Sequence, residues 1–140
     1  MNCFFCDVNV IEDRNVLTVN DSFFARLDDF PISPGHTEIV IKKHVATIFE
    51  VDQTELHNFF QLLTSTKKIL DGRFHPDGYN IGINQGIVAG QSIPHLHVHL
   101  IPRYAGDVEN PRGGVRNILR GKGDYTNDAK KMGREHYLES

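Results

Sequence analysis

Short runs of apolar and β-branched residues in the first third of the chain predict three strands. Val16–Val19 and Phe23–Leu27 flank three turn residues, 20–22, which is the pattern of two strands around a turn. Residues 28–35 contain two prolines and a glycine, so we expect a loop there. Thr37–Ile41 is rich in β-branched residues and predicts the third strand.

The middle of the chain predicts one amphipathic helix. Asp52 is a typical N-cap residue, and Glu55 three residues later completes a capping box. Apolar residues then recur at helical spacing, namely Leu56, Phe59, Phe60, Leu63 and Leu70. The pair Asp71-Gly72 is expected to end the helix.

Two more strands are predicted after the helix. Residues 79–84 alternate well enough for a strand, a glycine-containing loop follows at 85–90, and residues 95–102 alternate strictly. A long helix between strands favours an α+β fold. We expect a mainly antiparallel sheet of about five strands, with the one main helix packed on it.

The strand at 95–102 has two chemically different faces. Alternate residues of a strand share a face, so His95, His97 and His99 point one way. The opposite face is expected to pack into the core and carries only apolar side chains: Leu96, Val98 and Leu100. Three imidazoles on one face serve no packing purpose, because each needs a hydrogen-bond partner if it is buried. The histidine face therefore indicates a chemical site.

Two kinds of site fit such a strand. Imidazoles on one face ligate zinc or iron, and a neutral imidazole also attacks phosphorus while its neighbours bind charge. Gln91 and Ser92 follow a glycine-containing loop and supply amide and hydroxyl donors that suit phosphate oxygens. A dedicated metal site is expected to include a carboxylate, and the strand offers none. The context thus favours phosphoryl chemistry.

Composition narrows the class of protein. The 140 residues are a normal size for one domain, with 39% hydrophobic and 24% charged residues and a formal net charge of -3. This balance argues against a nucleic-acid-coating protein or a polybasic membrane binder, so an anionic ligand must be held by local groups. No apolar run approaches the roughly 20 residues of a membrane span, and no signal peptide is evident.

The two cysteines, Cys3 and Cys6, lie too close together in sequence for a disulfide between them to cross-link distant parts of a domain. Their spacing is typical of a metal knuckle or a redox pair, and it favours a reducing, cytoplasmic location. The plain alternative is a pair of reduced, partly buried thiols.

Several segments together resemble one known family. The run His95–Ile101 matches the pattern His-φ-His-φ-His-φ-φ, where φ is apolar, at every position. Residues 33–44 resemble the same family's Pro-Gly-His strand with its basic end. Shorter matching segments lie at 84–86, 90–92 and 101–103. This family is the histidine-triad (HIT) superfamily, which includes the Hint phosphoramidases and the Fhit dinucleoside polyphosphate hydrolases.

The resemblance implies an arrangement of the whole chain. One HIT-like domain is expected over residues 1–116, and a C-terminal tail over 117–140 is expected to pack on this domain or on a dimer partner. The resemblance also implies a homodimer and a purine nucleotide substrate. Nucleic acid and membranes are not expected as partners.

The resemblance also implies catalytic roles for three histidines. His97 matches the nucleophile, which attacks the α-phosphorus and forms a nucleotidyl-histidine that water then cleaves. Such an attack suits a neutral imidazole near pH 7. His99 matches a residue that contacts the phosphate and assists the leaving group, and His36 matches another active-site histidine.

Substrate-binding positions follow from the same resemblance. Asn84, Gln91 and Ser92 match residues that hydrogen-bond phosphate or bridging oxygens. Asp28 matches a ribose-binding residue, since a carboxylate accepts from two vicinal hydroxyls; its alternative is a turn residue before a proline. The base is expected in an apolar pocket of the first strands, with Phe5, Phe24 and Leu27 as candidates.

Bacterial-type relatives imply a role for the cysteines. In them an N-terminal Cys-x-x-Cys binds structural zinc together with two histidines, which here are His44 and His95. Cys3, Cys6, His44 and His95 make a sound tetrahedral set. Zinc there removes His95 from the chemistry, and no organic cofactor is implied.

These roles lead to one expected activity and two alternatives. The expected activity is hydrolysis at the α-phosphorus of a dinucleoside polyphosphate that resembles diadenosine tetraphosphate. Gln91 and the Pro102-Arg103 segment favour this substrate class slightly. The alternatives are a Hint-like nucleoside phosphoramidase and a nucleotide-binding interaction protein with slow turnover. The loop from Arg112 to Arg116 either contacts a polyphosphate tail or is a solvated basic loop.

Overall fold

The computed structural model describes residues 2–138, with side chains up to residue 136. It divides into two compact units, one that ends at Tyr104 and one that begins at Ala105. The division lies before the domain end expected at residue 116. The packing of residues 117–140 stays a prediction, and the last two lie outside the described residues. Within the described range, no helix combines the length and apolarity that a bilayer crossing needs.

One five-stranded sheet forms the centre of the first unit. Its strands are β1 (Val16–Val19), β2 (Phe23–Leu27), β3 (Thr37–Ile41), β4 (Gly78–Gly82) and β5 (His97–Arg103). Their order is β1-β2-β3-β5-β4, and every neighbouring pair is antiparallel. The histidine strand β5 is therefore an interior strand with a hydrogen-bonded neighbour on each side. The predicted α+β fold with about five strands and one main helix is confirmed.

The last two strands are shifted relative to their predicted bounds. β4 ends at Gly82, earlier than expected, and β5 begins at His97 rather than at His95. The amide of His95 bonds within a local turn, and the amide of Leu96 donates to the carbonyl of Val45 at 2.7 Å. Because these amides bond elsewhere, the regular ladder starts only at His97.

The main helix, α1, spans Gln53–Phe74. The predicted capping box is present. Asp52 Oδ1 accepts a hydrogen bond from the amide of Glu55 at 2.8 Å, and Glu55 Oε2 accepts one from the amide of Asp52 at 3.0 Å. These two bonds satisfy amides that the first helical turn would otherwise leave unpaired.

The predicted end of α1 at Asp71-Gly72 is wrong, since the helix runs on to Phe74 and ends at His75 in the left-handed conformation. The carboxylate of Asp71 bonds to Lys67 Nζ and to the hydroxyl of Tyr79, each at 2.7 Å. Because the carboxylate is engaged with these side chains, it does not accept hydrogen bonds from nearby backbone amides, which is how an aspartate interrupts a helix.

The face of the sheet towards α1 carries the main apolar cluster. Its buried members are Phe23, Ala25, Ile39, Ile41, Leu62, Leu70, Leu96, Val98 and Leu100. The expected apolar face of the histidine strand is thereby confirmed. On α1 the buried line runs through Leu62, Thr66 and Leu70 at four-residue spacing, so Leu56 and Phe60, which the sequence pattern placed on this face, are exposed instead.

The opposite face of the sheet carries the histidines and is covered in part by the N-terminal segment. A second buried cluster there joins Cys3 and Phe5 of that segment to Phe24 and Val40 of the sheet. Strand register places Val40 opposite both Phe24 and His97. The histidine face is therefore a partly closed surface rather than an open one.

The second unit contains short helices. A 3-10 turn spans Gly114–Ile118 and a helix, α2, spans Thr126–Lys131. Within this unit the guanidinium of Arg116 lies 5.0 Å from the ring centre of Tyr125 and donates to the carbonyl of Gly123. Arg116 is thus engaged inside its own unit, and a contact with polyphosphate stays a prediction.

Replacing Leu70 by alanine should destabilise the protein strongly. Leu70 is completely buried between α1 and the sheet, so its truncation should lower the free energy of unfolding by about 2–5 kcal/mol. Urea denaturation measures the loss. The matched control is Leu56→Ala on the same helix, where the leucine is 41% exposed and the expected cost is below about 1 kcal/mol. Equal losses in the two variants would contradict the packing described here.

Candidate active site

His97 is held by the backbone of its own strand. Its Nδ1 lies 2.8 Å from the carbonyl oxygen of His95. A carbonyl only accepts hydrogen bonds, so Nδ1 carries the proton and the Nε2 of neutral His97 keeps its lone pair. The side chain is buried, with 8% relative exposure. His97 therefore presents a fixed, unprotonated ring nitrogen, which is what a nucleophile requires.

His36 and His99 form a directed hydrogen-bonded pair. The amide of Ile32 donates to His36 Nδ1 at 3.2 Å, so the proton of neutral His36 sits on Nε2. That nitrogen lies 2.9 Å from His99 Nδ1 and donates to it. Neutral His99 consequently carries its own proton on Nε2. One backbone amide thus sets the proton positions of both rings.

Burial keeps this pair of histidines neutral. Burial lowers the pKa of His99 to about 4. The neighbouring His97 and His36 also lower this pKa, whereas Asp28 raises it. Burial also lowers the pKa of His36, against the raising effect of Asp28. Both rings are therefore uncharged near neutral pH, as the direction of the hydrogen bond between them requires.

Asp28 is a turn residue whose second carboxylate oxygen faces the histidine pair, and its contact with ribose stays a prediction. Its Oδ1 accepts from the amide of Phe30 at 2.7 Å, which makes it a turn residue. Its Oδ2 lies 3.5 Å from His36 Nε2 and 3.9 Å from His99 Nδ1. The three side chains have the spacing of a metal site, but His36 Nε2 carries a proton and has no lone pair to give. They fit a hydrogen-bonded network better.

A second cluster has the composition of a metal site. His95 Nδ1 lies 3.4 Å from Cys3 Sγ, 3.5 Å from Cys6 Sγ and 3.2 Å from His44 Nδ1, and Cys6 Sγ lies 3.2 Å from His44 Nδ1. A zinc tetrahedron has edges of about 3.3–3.8 Å, given its bond lengths. These four residues could therefore hold a metal ion.

The proton positions of His95 also suit metal binding. Its Nε2 donates to the carbonyl of Ile41 at 2.6 Å, so its Nδ1, which faces the cysteines, has the free lone pair. The sequence-based expectation that His95 belongs with the cysteines and not with the phosphate site agrees with this geometry. Cys3 is buried and Cys6 is exposed.

The three residues expected at the phosphate lie on or beside the loop before β5. The side-chain amide of Gln91 is already engaged, since its Nε2 donates to the carbonyl of Ala46 and its Oε1 accepts from the amide of Gly86, each at 2.9 Å. Gln91 thereby fixes this loop. Asn84 and Ser92 are solvent-exposed. Phosphate contacts by these three residues stay predictions.

Sequence reasoning missed a buried ionic network beside His99. Arg26 lies in β2 and pairs with Asp13 at 3.3 Å, Asp29 at 3.0 Å and Glu38 at 3.2 Å. Register places Glu38 directly opposite both Arg26 and His99. The available signal was strand alternation, which puts Arg26 and Glu38 on the histidine face.

The network places a titratable carboxyl group, that of Glu38, opposite His99. Burial, helped by the neighbouring carboxylate of Asp28, raises the pKa of Glu38 to about 7, although Arg26 opposes the shift. Arg26 itself is 3% exposed. A buried cation with three carboxylate partners ties the N-terminal segment, the loop after β2 and strand β3 together beneath the site.

Comparison with known proteins identifies similar chains. The HIT domain family matches residues 10–106. An uncharacterized HIT-like protein of Methanocaldococcus jannaschii is 40% identical over 118 residues, which cover 83% of this chain and 91% of that protein. An asymmetrical bis(5'-nucleosyl)-tetraphosphatase of Schizosaccharomyces pombe is 35% identical over 77 residues, which cover 55% of this chain and 42% of that protein.

A solved structure shares the fold. The crystal structure of a Zn-bound histidine triad family protein from Mycobacterium smegmatis superimposes with a TM-score of 0.67 at 28% sequence identity. The match covers 77% of this chain and 79% of that one. The described sheet and helix thus correspond to those of a histidine-triad protein.

Replacing His99 by glutamine should weaken the pH dependence of stability. Between its folded pKa of about 4 and its ordinary value of 6.5, the unfolded chain binds a proton that the folded chain does not. Stability is therefore lost as the pH falls through this window. Between about pH 7 and about pH 5, the free energy of unfolding should drop in both proteins. The drop should be smaller in the variant than in the wild type by about 1 kcal/mol, after allowance for solvent screening.

Urea denaturation at the two pH values measures this difference. Glu38 acts in the opposite sense, since its raised pKa makes its contribution fall as the pH rises through about 4.5 to 7. The comparison between variants, rather than the slope of one curve, therefore isolates His99. His57→Gln on the exposed face of α1 is the control, and an equal change in both variants would contradict the assignment.

Proposed function

Because the chain belongs to the HIT family, we propose that it is a hydrolase that cleaves a dinucleoside polyphosphate, resembling diadenosine tetraphosphate, at the α-phosphorus through a nucleotidyl-His97 intermediate. The observation that carries this proposal is the hydrogen bond from His97 Nδ1 to the carbonyl of His95. It leaves Nε2 unprotonated, buried and fixed in direction. Relatives with hydrolase names, such as the tetraphosphatase of Schizosaccharomyces pombe, support the reaction class.

In the first step, His97 Nε2 attacks the α-phosphorus with its lone pair. A P–N bond forms while the P–O bond to the leaving nucleotide breaks. His99 Nε2–H donates a hydrogen bond to the departing oxygen and stabilises its growing negative charge. In the second step, water attacks the same phosphorus, the P–N bond breaks, and His97 regains its lone pair as a proton leaves to solvent.

The neutral state of His99 favours a polyphosphate over a phosphoramidate as substrate. An amine leaving group must gain a proton as it departs, and this requires an acid near the working pH. The pKa of His99 is about 4, so near pH 7 it is a hydrogen-bond donor without a labile extra proton. A nucleoside polyphosphate departs as a stable anion and needs only the hydrogen bond.

Four further residues complete the proposed substrate site. Asp28 contacts the ribose hydroxyls through the oxygen that faces the histidines, while Asn84, Gln91 and Ser92 contact phosphate oxygens. Before Gln91 can donate to phosphate, its side-chain Nε2 must release the carbonyl of Ala46, to which it donates in this structure. A homodimer and a cytoplasmic location remain predictions.

We also propose that Cys3, Cys6, His44 and His95 hold a structural zinc ion. The donor set, the spacing of the ligand atoms and the lone pair on His95 Nδ1 support this. When bound, zinc would cross-link the N-terminal turn to the segment that follows β3 and the segment that precedes β5. The residues of this cluster take no part in the chemistry at phosphorus.

Protein purified without chelator should contain about one equivalent of zinc, because all four ligands are already gathered. Elemental analysis measures the content. His44→Gln should lower the zinc affinity at least about tenfold, whereas His57→Gln, which changes another exposed histidine, should not. A zinc content below about a tenth of an equivalent after supplementation would contradict this structural site and leave the catalytic proposal intact.

His97→Ala should lose several orders of magnitude in turnover while still binding nucleotide. The variant lacks the attacking nitrogen but keeps the groups proposed to contact phosphate. Turnover should be measured on diadenosine tetraphosphate, diadenosine triphosphate and an adenosine phosphoramidate, with His57→Ala as control. Preference for the phosphoramidate would contradict the proposed substrate class.

The stereochemical course at phosphorus decides the mechanism. Hydrolysis of a substrate with a chiral α-phosphorothioate in isotopic water should retain configuration, because two in-line displacements each invert it. Inversion would mean a single attack by water and would make His97 a general base.

A further inference from the structure

The N-terminal metal-ligand turn carries an aromatic residue into the site. Cys3 and Cys6 enclose Phe4 and Phe5, and the amide of Asp7 closes the turn on the carbonyl of Cys3 at 3.1 Å. Phe5 is 2% exposed and belongs to the apolar cluster of the histidine face. Its position is therefore set by the same turn that supplies two of the four metal ligands.

Phe5 packs directly on His97. The two ring centres are 4.9 Å apart with an angle of 46° between the ring planes. The His97 ring also lies 5.2 Å from the ring of His99, with 74° between the ring planes. The hydrogen bond to the carbonyl of His95 sets the direction of the Nε2 lone pair, and the aromatic packing limits the remaining tilt of the ring.

We infer that Phe5 is a positioning residue through which metal occupancy of the Cys3–Cys6 turn controls the orientation of His97. A bound ion fixes both ends of the turn, and the turn presses the Phe5 ring on the imidazole. Without the ion, the cysteines meet the imidazoles through sulfur–nitrogen contacts of 3.2–3.5 Å, which restrain the turn, and with it Phe5, less than metal–ligand bonds do. This inference rests on the proposed metal site and on the proposed nucleophile.

Small changes in ring direction matter for this chemistry. An in-line attack requires the nucleophile within a narrow range of distance and angle, and a misplacement of about 1 Å costs up to about 100-fold in rate. Loss of the Phe5 contact should therefore lower kcat and leave the affinity for nucleotide nearly unchanged.

Two other routes make different predictions. Phe5 as a wall of the base pocket would affect KM and not kcat. Coupling through His95, which is itself a proposed ligand and whose carbonyl accepts the His97 hydrogen bond, runs through the backbone and should persist without the Phe5 ring, although that ring also lies 5.7 Å from the His95 ring. The neighbouring Phe4 provides a matched control, because it sits in the same turn and meets the Phe5 ring edge-on at 5.2 Å, while its own ring faces the guanidinium of Arg26 and is 47% exposed.

The experiment compares wild type, Phe5→Leu and Phe4→Leu, each zinc-loaded and zinc-stripped. The first measurement is the ring 15N–1H spectrum of His97, and the second is kcat and KM on diadenosine tetraphosphate. In the wild type, stripping should shift the His97 ring signals and lower kcat about tenfold, with KM nearly constant. Phe4→Leu should respond in the same way.

Zinc-loaded Phe5→Leu should already show the shifted spectrum and the lower kcat, and stripping should change either by less than about twofold. A stripping effect as large as in the wild type would overturn the inference and assign the coupling to His95. A rise in KM alone would make Phe5 a pocket wall. A protein that binds no zinc would also overturn it.

Two provisions keep the outcomes separate. If Phe5→Leu does not fold, Phe5→Met preserves an unbranched apolar side chain at the same place and takes over the comparison. If the wild type hydrolyses no nucleotide, the proposed function fails, while the His97 ring spectrum still shows whether the metal and Phe5 set its orientation.

Discussion

The backbone carbonyl of His95 accepts a hydrogen bond from Nδ1 of His97, and the arrangement of the site depends on this one constraint. The same principle operates at two other histidines. Ile41 offers a carbonyl to His95, and Ile32 offers an amide to His36. Main-chain groups cannot change their hydrogen-bonding sense, so each ring receives a single proton arrangement. Identical side chains thereby acquire different chemistry.

The sheet fixes the strand that carries His97 and His99. β5 lies between β3 and β4, so its carbonyls and amides are held by neighbours on both sides. Helix α1 seals one face and leaves the other to polar groups. The buried residues Leu62 and Leu70 of the helix share one apolar cluster with Leu96, Val98 and Leu100 of the histidine segment.

The sequence predicted the sheet and the helix start, because alternation and capping are local signals, whereas the members of the two histidine clusters were implied only by the resemblance to the HIT family. It placed the helix end wrongly, since the bond from Tyr79 to Asp71 joins residues in different elements. It also missed the partners of Arg26 and the contact of Phe5 with His97. Those depend on which strands become neighbours, and local periodicity carries no information on that.

The metal-ligand cluster also bears on the order in which the protein folds. Cys3 and His95 are 92 residues apart in sequence, and a ribosome delivers them at opposite ends of the domain. Bringing such distant residues together costs loop-closure entropy. This cost is offset only by the contacts that form when the intervening elements fold. The four ligands therefore converge only on a nearly complete domain, and metal capture at this position would act as a late checkpoint on assembly.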